Sequence, residues 1–184
     1  MTTTVDVKEL LSALSIPHYL KSLGFDAFDW QNAVASSSAK RKLLLCSRQA
    51  GKSTIVSAIP CHSAKYFPGS LSVVIAPSEK QATEDMIKIK GFIAHDETYP
   101  ELKRNGADLI ELNNGSRIIV VAATDQAARG YSRPRVVLLD EASRIDDTVY
   151  KSGVVPMLNN SPNSEIIMLS TPFGRMGFFY NTWL

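Results

Sequence analysis

Leu43-Leu44-Leu45-Cys46-Ser47-Arg48-Gln49-Ala50-Gly51-Lys52-Ser53-Thr54 runs from an apolar stretch through a polar loop into a segment able to start a helix. Strand, loop and helix start, in that order, suit a triphosphate: backbone N–H groups at a helix start face the anion, and the helix dipole adds favourable potential. Gly51 lets the main chain approach the phosphates closely. Lys52 offers a mobile positive charge to the β- and γ-phosphates, and the Ser53 hydroxyl suits the magnesium that bridges them. Ser47, Arg48, Gln49 and Ala50 form the rest of the loop, while Thr54 lies one residue beyond the metal-ligating position. The full phosphate-loop pattern has glycine five positions before Gly51, where this chain has Cys46. The match is therefore partial, and an ordinary strand-to-helix turn is the alternative.

Four near-continuous apolar runs, 42–46, 71–76, 136–139 and 166–169, read as strands covered on both faces, the signature of a parallel sheet. Between the second and third, Asn113-Asn114-Gly115 divides 109–122 into two strand-like halves, a hairpin signal expected at a sheet edge or in an insertion. Residues 81–95 read as a helix, with Ala82, Met86, Ile89 and Ile93 on one face, and 147–158 is a weaker helical candidate. The helix after Lys52 meets Pro60, which costs about 3 kcal/mol in a helix interior, so a kink or an early end is predicted there. Residues 5–23 read as two short helical pieces divided at Ile16-Pro17. The expected class is α/β: a P-loop NTPase of RecA/ASCE type with a mainly parallel central sheet, helices on both faces and an antiparallel hairpin at one edge.

Val136-Val137-Leu138-Leu139-Asp140-Glu141 ends an apolar strand with two carboxylates, at the sheet edge where ligands of open α/β folds collect. Asp140 suits magnesium, held through its water shell because that ion dehydrates reluctantly. Glu141 is then the candidate to orient and deprotonate an attacking water. A capped turn is the alternative for such a pair taken alone. Its position roughly ninety residues after the phosphate loop, with strands between, favours catalysis. Leu169-Ser170-Thr171-Pro172 closes the last strand with two hydroxyls able to bond a γ-phosphate or its attacking water, against the alternative of a plain strand-end turn. Upstream, in Phe28-Asp29-Trp30-Gln31, the Gln31 amide offers a donor and an acceptor that match the adenine edge, and Trp30 is placed to stack or simply to pack.

The 184 residues fit a single ATPase domain with 1–27 as a helical segment packed on it. With 45% hydrophobic and 21% charged residues the composition excludes disorder and fibrous folds, and a net charge of +2 neither demands nor excludes a polyanionic partner. Cys46 and Cys61 are too few for a disulfide framework and lack zinc-site spacing. No signal peptide and no membrane-length apolar window is present, so a soluble, intracellular protein without a membrane partner is expected. The apolar 178–184 segment reads as one normally buried and followed by more protein, as in a truncated chain or one half of a split gene.

In the order Trp30-Gln31, Ser47-Arg48-Gln49-Ala50-Gly51-Lys52-Ser53, Leu138-Leu139-Asp140-Glu141-Ala142 and Leu169-Ser170-Thr171-Pro172, the chain resembles the large terminase subunit of tailed double-stranded DNA phages, across roughly residues 28–175. The Arg-Gln-x-Gly-Lys-Ser loop carries the resemblance furthest, since the missing first glycine becomes expected. It implies ATP and Mg2+ as cofactors, and a homo-oligomeric ring that drives double-stranded DNA into a capsid. The implied partners are a portal protein and a small terminase subunit, and the implied location is the host cytoplasm. By the same resemblance Gln31 contacts adenine, Ser170 and Thr171 lie in the coupling motif, and Arg48 is a sensor or cis-acting finger. Arg129 resembles the arginine that ring motors insert into a neighbour's site; a surface arginine at a turn is the alternative, and Arg133 and Arg135 compete for the role. The nuclease domain usual in the family is expected to be absent. A superfamily 2 helicase fragment shares much of this order but usually has Ser-Ala-Thr as its third motif, and a nucleotide-binding interaction module with little turnover is disfavoured by Glu141 beside Asp140.

Overall fold

A computed structural model describes residues 6–124 and 130–184. Three short helices, α1 (Val7–Leu14), α2 (Ile16–Ser22) and α3 (Asp29–Ser36), precede β1 (Arg41–Leu45) and α4 (Lys52–Tyr66). There follow β2 (Leu71–Ala76), α5 (Glu79–Ala94), β3 (Leu102–Asn105), β4 (Leu109–Leu112), β5 (Arg117–Ala122) and β6 (Val136–Leu139). A 3-10 turn (Ala142–Arg144) leads to α6 (Asp147–Val149), a π turn (Tyr150–Val154), α7 (Val155–Asn159), β7 (Glu165–Ser170) and α8 (Gly177–Trp183).

The strands form one sheet in the order β1-β7-β6-β2-β5-β4-β3. The first five in that order are mutually parallel, and β4 pairs antiparallel with both β5 and β3. All four apolar runs are strands of the parallel part. The hairpin is present, with Gly115 at φ +83° and Asn114 accepting from the Ser116 N–H at 2.9 Å. It differs from expectation in one respect: β5, its second strand, pairs in parallel with β2 inside the sheet, so β4 and the unforeseen β3 make the edge. β3, Leu-Lys-Arg-Asn, is mostly exposed and has no apolar alternation to announce it.

Helices cover both faces. On one, α2, α4 and α5 bury Tyr19, Leu20, Ile55, Ile59, Met86 and Ile89 against Val74, Leu138 and Ile167. On the other, α7, α8 and the turn after β6 bury Met157, Leu158, Phe178 and Phe179 against Val73, Val137 and Met168. Alternate residues of one strand thus serve opposite cores, which is why β2 and β6 contain no polar side chain larger than serine. The α4 helix does not end at Pro60 but continues to Tyr66. Ile55 through Ala64 are all buried, and that burial outweighs the single hydrogen bond that proline removes. The 147–158 helix is real but carries the π turn, and the break near Pro17 falls at Ser15, with Pro17 in the first turn of α2, where its missing N–H costs nothing. In the last segment Phe178 and Phe179 are buried, whereas Trp183 and Leu184 are exposed. Among the described residues no helix is long and apolar enough to cross a membrane.

Candidate nucleotide site

Register alone brings the polar loops together. Leu45 of β1 stands opposite Ser170 of β7, Leu139 of β6 opposite both Met168 of β7 and Ile75 of β2. The Cys46 N–H extends the first pairing to the Ser170 carbonyl at 2.9 Å, and the Asp140 N–H bonds the Ile75 carbonyl at 2.9 Å. The phosphate loop, the carboxylate pair and the Ser-Thr pair therefore leave the same edge of the sheet.

Three backbone positions in this edge, Gln49, Gly51 and Glu141, have a left-handed φ. Gly51 caps α4 at φ +80°, and a Cβ there would meet Gln31 Nε2 at 2.8 Å and the Phe28 ring at 3.2 Å, so both conformation and space require glycine. Glu141 adopts φ 45°, ψ 45°, a strained backbone for a long side chain, which turns its carboxylate away from the strand direction. That carboxylate accepts from the Thr171 hydroxyl at 2.9 Å and the Thr171 N–H at 3.2 Å, and faces Lys52 Nζ at 3.5 Å. Burial pushes its pKa up, but the Thr171 and Lys52 contacts outweigh that and hold it below the ordinary carboxylate value. Lys52 Nζ also donates to the Ser47 carbonyl across the loop at 3.3 Å.

Asp140 is buried, and burial, with the neighbouring Asp85 and Glu141 charges, raises its pKa to about 7. Its Oδ1 is buried without a hydrogen-bond partner, an orphaned acceptor of the kind a cation satisfies. Among the described residues no three His, Cys, Asp or Glu side chains form a metal nest. Magnesium needs none, since it keeps several waters and takes one or two protein oxygens. The orphaned Asp140 oxygen fits such an ion.

Gln31 is buried, and both ends of its amide are engaged: Oε1 accepts from the Phe28 N–H at 2.7 Å, and Nε2 donates to the Gly51 carbonyl at 2.7 Å. It thus ties α3 to the phosphate loop. Trp30 is partly buried against the helical core, and it is Phe28, 59% exposed, whose ring lies beside Gly51. Arg48, Gln49 and Ser53 are exposed at the loop, Ala50 and Thr54 half-buried, and Gln49 has φ 58°. Ser170 Oγ shares a 2.6 Å hydrogen bond with Ser143 Oγ, which also donates to the Thr171 carbonyl at 3.0 Å. Arg129 lies outside the described residues. Arg135 begins the approach to β6 at the end opposite Asp140 and stacks on Phe67 at 3.4 Å, so it does not reach this chain's phosphate loop. Sequence reading gave no role to Phe28, Ser143, Gln81 or Asp85; only the residues' proximity in space marks them.

A phosphate loop facing a carboxylate-tipped strand of a parallel sheet defines a P-loop NTPase domain. Residues 43–184 match the family described as terminase large subunit, T4likevirus-type, N-terminal, and the chain belongs to that family. It is 27% identical over 184 residues to the large terminase subunit of Thermus phage G20c, an alignment that takes in 90% of this chain and 38% of that protein. The chain thus spans well under half the length of that relative. Its fold superposes on the large terminase ATPase domain of Thermus phage P74-26 with a TM-score of 0.77 and 25% identity, covering 89% of this chain and 71% of that one. The large terminase of bacteriophage HK97 shares the fold, with a TM-score of 0.65 at 16% identity over 79% of this chain and 33% of the other.

Proposed function

We propose that this chain binds MgATP and hydrolyses it as the motor domain of a phage DNA-packaging terminase, coupling turnover to movement of double-stranded DNA into a capsid. The observation that carries the reading is the meeting of Lys52 Nζ with the Glu141 carboxylate, 3.5 Å apart, beside the orphaned Asp140 oxygen. When bound, magnesium supplies charge neutralisation on the β- and γ-phosphates. The chain's own residues do the rest. The backbone of residues 47–51 and Lys52 hold the phosphates, Ser53 and Asp140 offer oxygens to the metal, and Glu141 takes the proton of the attacking water. Gln31 and Phe28 border the adenine side. Glu141 is also bonded to Thr171, so a change at the γ-phosphate reaches the Ser170-Thr171 strand end directly, as a coupling motif requires. Arg48 and Arg129 are the arginines assigned to the transition state, the latter from a neighbouring subunit in a ring. Portal protein and small terminase subunit are the partners, and the host cytoplasm the location, that this reading carries with it.

Phosphate release from MgATP tests it. Lys52→Ala is expected to lose nearly all turnover, and turnover at the wild-type rate in that variant would sink the proposal. Mixing Arg129→Ala with Lys52→Ala subunits is expected to restore part of the hydrolysis; none, despite demonstrated co-assembly, removes the finger in trans.

A further inference from the structure

The Asp140 carboxylate has a second carboxylate beside it. Asp85, on the second turn of α5, is 1% exposed and lies within hydrogen-bonding reach of Asp140. Gln81, one turn earlier on the same helix, donates its Nε2 to both, 3.1 Å to Asp85 Oδ1 and 3.3 Å to Asp140 Oδ2. The two remaining oxygens, Asp85 Oδ2 and Asp140 Oδ1, are buried and neither has a hydrogen-bond partner. Lys88 approaches Asp85 Oδ1 at 3.6 Å with its side chain 37% exposed, and its charge acts on Asp140 only as a minor effect.

With both carboxyl groups ionised, hydrogen bonding and charge fall short together. Two buried carboxylates share one neutral amide, one half-solvated ammonium and the Glu141 backbone N–H, and like charges packed this closely repel strongly away from water. For packing alone Asp85 is a poor choice, because its helical neighbours Ala82, Met86 and Ile89 make that face of α5 apolar and an apolar side chain would fill the position without an uncompensated charge. A hard divalent cation removes both deficits, since it accepts carboxylate oxygens directly or through bound water.

We propose that Asp85 is a second carboxylate of the divalent-cation site, paired with Asp140, and that Gln81 is a positioning residue fixing the two carboxyl groups relative to one another. The inference rests on the reading of the site above only in taking the cation to be the nucleotide's magnesium. It makes α5 part of the metal site, so that α5 and the β6 tip move together when the ion binds.

Mn2+ serves as the probe, followed by electron paramagnetic resonance on the whole chain at pH 8 without nucleotide, alongside melting temperatures in EDTA and in MgCl2. Wild type is expected to bind Mn2+, and Asp85→Asn to weaken it by at least about tenfold, the effect typical of removing a group that supports a metal ligand. In EDTA the isosteric Asp85→Asn is expected to melt above wild type, because repulsion is relieved, and to lose the rise that MgCl2 gives. Gln81→Glu adds a third carboxylate and is expected to do the reverse, melting lower in EDTA and gaining more from MgCl2. Wild-type Mn2+ affinity in Asp85→Asn, a lower melting temperature of that variant in EDTA, or no Mn2+ binding by wild type would each overturn the inference. MgATP turnover on the same wild-type sample separates the two readings. Turnover with an indifferent Asp85 leaves the ATPase standing, whereas Mn2+ held by the pair in a chain without turnover leaves the cation site standing and removes the ATPase.

Discussion

The two ends of α4 are built on opposite principles. At its start, Lys52 faces Glu141 across 3.5 Å, Gly51 and Glu141 have left-handed backbones, and Asp140 keeps an oxygen buried and unpartnered. At its end, Lys65 Nζ bonds both Asp96 oxygens at 2.9 and 3.0 Å and the Thr98 hydroxyl at 2.6 Å, with Glu9 of α1 at 3.2 Å. Tyr19 of α2 donates to Asp96 as well, and His62 reaches the Ser12 carbonyl. The second cluster fixes the amino-terminal helices to the core and gives its buried carboxylate, Asp96, a cation and hydrogen-bond donors. The first leaves a buried carboxylate oxygen of Asp140 without a partner, the deficit that the proposed cation would fill, and that contrast distinguishes the proposed site from a staple.

The sharpest break is at Glu141. Glu141→Gln keeps the size and some hydrogen bonding to Thr171 but cannot accept a proton, so turnover is expected to fall roughly 10²–10⁴-fold while nucleotide binding and melting temperature hold. Steady-state phosphate release and nucleotide titration on one preparation decide this; unchanged hydrolysis removes Glu141 from the chemistry.

At the staple the expected effect is on stability. Lys65→Met leaves Asp96, 3% exposed at its side chain, without its cation, and breaking a buried pair from one side costs roughly 3 kcal/mol or more. Chemical denaturation reads it, and Lys65→Met with Asp96→Asn is expected to recover much of the loss. Full stability in the single variant would mean that Glu9 and solvent, not Asp96, carry the ion.

Gly51→Ala tests both principles at one residue. A left-handed alanine costs on the order of 1–3 kcal/mol, and its methyl displaces either the Gln31 amide or the Phe28 ring. Stability is therefore expected to fall by about 2 kcal/mol, with nucleotide affinity falling further than stability explains. A variant that loses stability but binds nucleotide normally would detach the Gln31–Gly51 contact from the site.

This division also marks what could be read from the chain alone. The parallel strands were legible because 71–76 and 136–139 are apolar on both faces, and the register of such strands leaves little choice about which loops meet. Lys52, Asp140 and Glu141 followed from strand ends and local patterns. Pro60 misled because its cost is local, whereas the burial that keeps α4 intact is tertiary. Gln81 and Asp85 were invisible for the complementary reason: on α5 they look like polar residues of an amphipathic helix, and only the packing of that helix against β2 turns them toward Asp140. β3 pairs through its backbone, which leaves no trace in residue type.

The smallest effect concerns His62, which belongs to the staple. Burial among Tyr19, Tyr66 and Phe67 lowers its pKa from 6.5 to about 4, against the smaller opposing effect of the Ser12 carbonyl that its Nε2 contacts at 2.9 Å. Between those two values the unfolded chain binds a proton that the folded chain does not, so stability is present in full above about pH 6.5 and is lost as the pH falls toward 4. Going from about pH 7.5 to 5.5, this group alone should remove about 1 kcal/mol. Other groups titrate over the same range, Asp140 with the opposite sign, so the quantity to measure is the difference in denaturation free energy between wild type and His62→Gln at each pH. That difference should shift in favour of the glutamine variant by about 1 kcal/mol on acidification, because glutamine can still donate to Ser12 but takes up no proton. A pH-independent difference would mean that the ring is hydrated and titrates normally, and that α1 is held by Glu9 and its packing alone.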